Sequence, residues 1–190
     1  GRTDWSHPDE VADLDRVWQP LLALLRTHSA HEDDHIFRLL DERDPLAVEP
    51  ATEQHRDLED LLEEIAERFG SVLAAPDPQA GLALYRDLNR FVAAYLPHLH
   101  DEETRIMGRI WACCTDGEIA AARAAFMADT TPEVQATTLR YLLPAIDAAT
   151  RRKLAAGLAG APPAVIDAVR AIAEEVLDEG DAADLHSLAP

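Results

Sequence analysis

Cysteine, aromatic side chains, positive charge and long apolar runs are all scarce in this chain, and each scarcity excludes a class of protein. There are two cysteines in 190 residues, Cys113 and Cys114. Neighbours along the backbone are poorly placed to bridge each other, so no disulfide framework of the secreted kind is expected, and they read as two small residues at a helix end. Aromatics make up only 5% of the chain, and no stretch alternates apolar and polar residues long enough for a sheet. Lys and Arg number 17 against 36 Asp and Glu, a formal charge of -19. Such a surface repels phosphate backbones and anionic lipid heads, so neither nucleic acid nor membrane is an expected partner. The longest uncharged run near the end, Leu154 to Ile166, is too short to span a bilayer and contains Pro162-Pro163. With no signal-like start, a cytoplasmic protein is expected.

What remains is helical. At 47% hydrophobic, with Ala, Leu, Glu, Asp and Arg dominant, the chain predicts an all-α fold. One core with an appendage fits the length: residues 1–114 as a bundle and residues 115–190 as a helical extension packed on it. Ser6 is placed to cap a first long helix from Pro8 to about Glu42, bent at Pro20. A second runs roughly from Pro50 to Phe69 and stops at Gly70, and a third from Gln79 to Ala112 with a kink at Pro97. Thr115-Asp116-Gly117-Glu118 is a capping box, and shorter helices fit Val134 to Leu142, Asp147 to Leu158 and Pro163 to Leu177.

The chemistry lies where the apolar stripes of the long helices are interrupted. Leu14, Val17, Trp18, Leu21, Leu25, Ile36 and Leu39 recur at helical spacing, and His28 and Glu32 fall on their face. Leu58, Leu62, Ile65 and Phe69 share a face with His55, and Glu59 follows one turn on. Leu84, Leu88, Phe91 and Tyr95 lead to His98, Glu102 and Ile106. With acids this abundant, a Glu four residues after a His means little. Three such pairs, each on a face that should be buried, mean more. A carboxylate in place of a core Leu costs several kcal/mol unless a cation compensates. His and carboxylate on facing helices are the ligand set of non-haem iron, with Glu able to bridge two ions.

These residues resemble the hemerythrin-like, or HHE cation-binding, family. The likeness rests on His28-x3-Glu32-Asp33 with Ile36-Phe37 and Leu39-Leu40, on Glu53-x-His55, and on His98-Leu99-x2-Glu102-Glu103 with Ile106-Met107 and Trp111, covering residues 10 to 115. It implies an up-down four-helix bundle with a non-haem di-iron centre, held by His28, Glu32, His55, Glu59, His98 and Glu102, that meets O2, NO or peroxide. The family pattern begins with a further His-bearing helix that nothing before Ser6 supplies, since His7 beside Pro8 reads as a capping or surface residue. That helix is therefore expected to be absent from this chain. Glu59 stands where a hemerythrin has His, which favours oxidation chemistry or iron sensing over reversible O2 carriage. A di-iron oxidase acting on a small organic substrate is the alternative.

Two other motifs compete. His31-Glu32-Asp33-Asp34-His35 is literally H-E-x-x-H, the zinc-protease signature, but His31 lies off the stripe and the reading leaves His55 and His98 unexplained. A ferritin-like centre wants two Glu-x-x-His motifs, and the chain has only Glu32-x-x-His35. His31, His100 and His186 read as ordinary polar residues, and His35 as a ligand or a supporting donor.

Overall fold

The computed structural model describes residues 2–41, 43–158 and 160–186, and the side chains of all of these but 183–186. Glu42, the expected end of the first helix, and the side chain of His186 lie outside them. The chain is all-α, with no strand among the described residues. It divides into two compact units, Gly1–Asp129 and Thr130–Pro190.

The first unit is built on three long helical stretches. Helix α1 (Pro8–His31) passes into a π-helical turn at Glu32–Phe37 and a short α2 (Arg38–Asp41). Helix α3 (Pro45–Ala74) is followed by α4 (Pro78–Asp101), which passes into a second π-helical turn at Glu102–Ile106 and then α5 (Met107–Cys113). A fourth helix, α6 (Asp116–Asp129), packs against the first π turn.

Several boundaries differ from expectation for local reasons. Ser6 bonds back to Asp4 through its hydroxyl and amide, and His7 takes the N-cap position without a side-chain capping bond, its ring lying 3.0 Å from Asp4 Oδ2 instead. Helix α3 starts at Pro45 rather than Pro50: Pro45 takes the first helical position, where a proline's missing N–H would have no partner anyway, and Pro50 lies inside the helix one turn further on. Gly70 does not stop it. The helix runs on to Ala74 because Val72 is buried beyond the glycine, and tertiary packing outweighs glycine's weak helix preference. The capping box at Thr115 forms in both directions, Thr115 N–H to Glu118 at 2.8 Å and Glu118 N–H to Thr115 Oγ1 at 3.3 Å.

Two apolar blocks fill the first unit. Val11, Trp18 and Leu22 of α1 pack with Leu58, Leu62, Ile65, Phe69 and Val72 of α3 and with Leu84 and Phe91 of α4. Trp5 covers Gly81 so closely that a Cβ there would stand 2.2 Å from the indole. Phe37, Leu40, Val48, Ala51, Ile106 and Ile110 form the other block. The residues between these blocks in every helix, 28 and 32, 55, and 98 and 102, make a polar layer.

The first π turn also moves the stripe. Ile36 and Leu39 were expected inside, yet Phe37 and Leu40 are the fully buried pair. A π turn adds one residue to the helical repeat and carries everything after it one position on. Val17, also expected inside, is 54% exposed beside the buried Trp18.

The second unit consists of α7 (Pro132–Ala145), α8 (Ala148–Gly157), α9 (Pro163–Val176) and α10 (Glu179–His186). Leu143, Ala155, Ile166, Ile172 and Ala173 form its core. Arg151 is buried and ties the unit together, donating to the Leu143 and Ile146 carbonyls and pairing with Asp181 at 2.6 Å.

Candidate metal centre

In the polar layer the side chains alternate between imidazole and carboxylate. His28 Nε2 lies 3.4 Å from Glu32 Oε2, which lies 3.6 Å from His55 Nε2. His55 Nε2 lies 3.3 Å from Glu102 Oε1, and the same oxygen is 3.3 Å from His98 Nε2. One ligand atom from each of Glu32, His55, His98 and Glu102 falls within 4.8 Å of all the others. His55 and His98 are each 2% exposed.

Each inner ring is aimed by a partner on another helix. Asp33 Oδ1 accepts from His55 Nδ1 at 3.0 Å, and Gln54 Oε1 accepts from His98 Nδ1 at 3.0 Å. Both arrangements leave Nε2 facing the centre, as ligating histidines require. Phe37 stacks on His55 with ring centroids 5.1 Å apart. Arg105 holds Asp101 through two bonds and reaches the Ala47 carbonyl, fixing the second π turn to the start of α3.

Glu32 and Glu102 both open π turns. Glu32 N–H bonds to the His28 and Ser29 carbonyls, and Glu102 N–H to those of His98 and Leu99. The sequence signal was present in each case as a His followed at i+4 by Glu and then a second acid.

The electrostatics are those of a site short of positive charge. Burial pushes the Glu32 carboxyl above its usual range. For His55 burial acts to lower the pKa, but the surrounding Glu102, Glu32 and Asp33 carboxylates overcome it and raise it to about 10. His98 is lowered, first by burial. A proton on His55 is therefore what balances the carboxylates when no other cation does. Even so, His28 Nε2, Glu32 Oε2 and His98 Nε2 are buried without a hydrogen-bond partner. Two imidazole lone pairs and a carboxylate oxygen, orphaned together and converging, suit a cation.

A family model described as the hemerythrin HHE cation-binding domain matches residues 3–110. The chain belongs to that family. No curated protein and no solved structure matches it. The HHE match ends short of Cys113, so it covers the three long helices and the whole polar layer.

Of the six residues picked out by sequence, four form the tight group and His28 stands beside Glu32. Glu59 is exposed and lies outside the group, at the edge of a cavity of about 10 Å³ lined also by Leu25, His28, Leu58, Phe91 and Tyr95. The reason is helical phase. The buried face of α3 steps from His55 to Leu58 and Leu62, and Glu59 is one residue off it. Trp111, part of the family likeness, is 67% exposed. Asp33 and Gln54, as aiming residues, were not identified from sequence.

Proposed function

We propose that the polar layer holds non-haem iron as a two-ion centre sharing Glu32 and Glu102, and that the protein binds or responds to O2, NO or peroxide. The observation that carries this reading is the trio of orphaned buried atoms on His28, Glu32 and His98. Imidazole with carboxylate is a donor set that suits iron, and Glu32 and Glu102 each stand between two imidazoles. Iron, when bound, supplies a redox-active cation able to take up small oxidants.

The remaining work falls to the chain itself. Asp33 and Gln54 hold the His55 and His98 rings in place. Leu25, Leu58, Leu62 and Phe91 wall a cavity of about 10 Å³, room for about one water-sized molecule. Tyr95 lines the same cavity, and burial with the nearby Glu32 and Glu102 charges keeps its hydroxyl protonated, as a hydrogen-bond donor. The acidic exterior discourages anionic substrates, and the cavity size argues against an organic one. Two unpaired adjacent cysteines suit the reducing conditions of a cytoplasm.

Stopped-flow absorption of the ferrous protein mixed with O2 tests the reading. A carrier or sensor gives a visible band that forms once and reverses when the gas is removed. Sustained turnover of an added organic reductant would replace it with an oxidase, and failure to retain iron after iron-replete expression would remove the metal assignment.

A further inference from the structure

Helix α4 carries two apolar stripes, and the core of the first unit uses only one of them. Leu84, Phe91 and His98 are buried on the inward face. Leu82, Tyr85, Asn89, Val92, Leu96 and Leu99 recur at alternating intervals of three and four on a second face, turned about 100° from the first. Leu82, Tyr85, Val92 and Leu96 are 46%, 44%, 48% and 59% exposed. Large apolar side chains in a continuous exposed row mark an interaction surface, unlike the single scattered ones of any soluble surface. Strict alternation of three and four is also narrower than the face a globular core covers. It is the seam of a two-stranded coiled coil, with Leu82, Asn89 and Leu96 in the a positions and Tyr85, Val92 and Leu99 in the d positions. The row rises about 25 Å along the helix.

We propose that a second copy of the chain docks on this face, α4 against α4, parallel and in register about a two-fold axis. Asn89 sets the register. A lone Asn among apolar a positions is satisfied when it meets the same residue of a partner helix. Asn89 Nδ2 donates to the Tyr85 carbonyl at 2.8 Å, which leaves its amide oxygen and second N–H to bond across the seam. In an antiparallel pair Asn89 would face an apolar d residue instead. The charges fit the same partner. At -19, copies repel one another over most of their surface. Helix α4, however, has no acid between Asp87 and Asp101, and Asp87 is paired with Arg68 at 2.5 Å and Arg90 at 3.5 Å. In a parallel pair the flanking residues that meet are Gly81 with Arg86, Leu88 with Ala93, and Tyr95 with His100. None is a like-charged pair. A foreign acidic helix would find one fixed cation, Arg86, along the flanks of the seam, too little to select it. The bundle already holds α4 helical, so association carries no folding cost, and a seam this short gives a reversible dimer rather than an obligate one. The inference is independent of the metal assignment.

The test is sedimentation equilibrium of the full chain over a range of concentrations and salt. The wild type is expected to show a monomer–dimer equilibrium that tightens as salt screens the overall repulsion. Leu96→Glu and Tyr85→Glu should each raise the dissociation constant by more than about tenfold, since each copy loses an apolar side chain from the seam and sets a carboxylate there against its partner. Both positions are exposed and lie about three turns apart, so if one variant loses its helical circular dichroism the other still decides. Leu82→Cys should cross-link the dimer on mild oxidation, beyond any wild-type background from Cys113 and Cys114, because position 82 meets its counterpart only in a parallel pair. A wild type that stays monomeric at every concentration, or a dissociation constant unchanged in the folded Glu variants, would overturn the proposal. A dimer that loosens with salt would overturn the charge argument, and a dimeric Leu82→Cys that does not cross-link would overturn the parallel register.

Discussion

Asp33 Oδ1 sits 3.0 Å from His55 Nδ1, so a ring on α3 that faces the centre is aimed by a carboxylate from the first π turn. Asp33→Ala should leave the fold intact, since its side chain is 37% exposed, and weaken iron binding by about 10–100-fold. Asp33→Asn should recover part of that loss, because an amide oxygen still accepts from Nδ1. Equilibrium competition with a chelator measures both, and an Asp33→Ala affinity equal to the wild type would show that His55 needs no partner.

Glu32→Ala and Glu102→Ala should each abolish two-ion occupancy, whereas His100→Ala should leave it unchanged. A carboxylate shared by two cations attracts both and offsets their mutual repulsion, so its loss is felt at both positions. His100 is exposed on the other side of α4. Iron counted per chain after reconstitution decides the matter, and similar losses in all three variants would mean that the wrong face had been assigned.

Iron must displace the proton that His55 otherwise keeps, since its pKa in the metal-free fold is about 10. Uptake at neutral pH should release protons and weaken as the pH falls, which calorimetry in buffers of different ionisation enthalpy will show. The folded pKa is raised above the unfolded value near 6.5. Its contribution to stability is therefore complete below about 6.5 and lost as the pH rises through about 10. The melting temperature of the metal-free protein should fall across that window, and that of the iron-loaded protein should fall less.

Gly81→Ala sets helix propensity against sterics. Alanine is favoured over glycine within a helix by about 1 kcal/mol, but its Cβ would meet the Trp5 indole, at 2.2 Å to Cγ and Cδ2. Those atoms are at the root and middle of a rigid ring and cannot swing aside cheaply. Overpacking of this kind costs about 1–3 kcal/mol, so a net loss is expected, visible as a lower urea midpoint. In a Trp5→Ala background the same substitution should be neutral or stabilising.

The polar layer was legible in the sequence because a His or Glu turned inward breaks a 3.6-residue stripe in plain view. His28, Glu32, His55, His98 and Glu102 stand out this way as candidate ligands, and the structure brings their side chains together. The two π turns were not, because one inserted residue looks like ordinary scatter in an apolar pattern, and Ile36 and Leu39 were expected where Phe37 and Leu40 stand. Asp33 and Gln54 stayed hidden for a different reason. An acceptor for a histidine Nδ1 comes from a neighbouring helix, and no spacing along one helix announces it. His31 and His35 both approach Asp129 Oδ2, at 3.8 and 3.2 Å, a contact that spans 94 positions of chain for His35 and was likewise out of reach.

Each π turn gives its helix two rotational phases, one before the Glu and one after it. The segment leading to the ligands can be seated by one apolar block while the segment beyond is seated by the other, with no demand that a single straight helix satisfy both. Deleting one residue within Glu32–Phe37 would merge the phases, turning Leu40 and its neighbours by about 100° relative to His28. The bundle would then have to choose between closing its core and gathering its ligands.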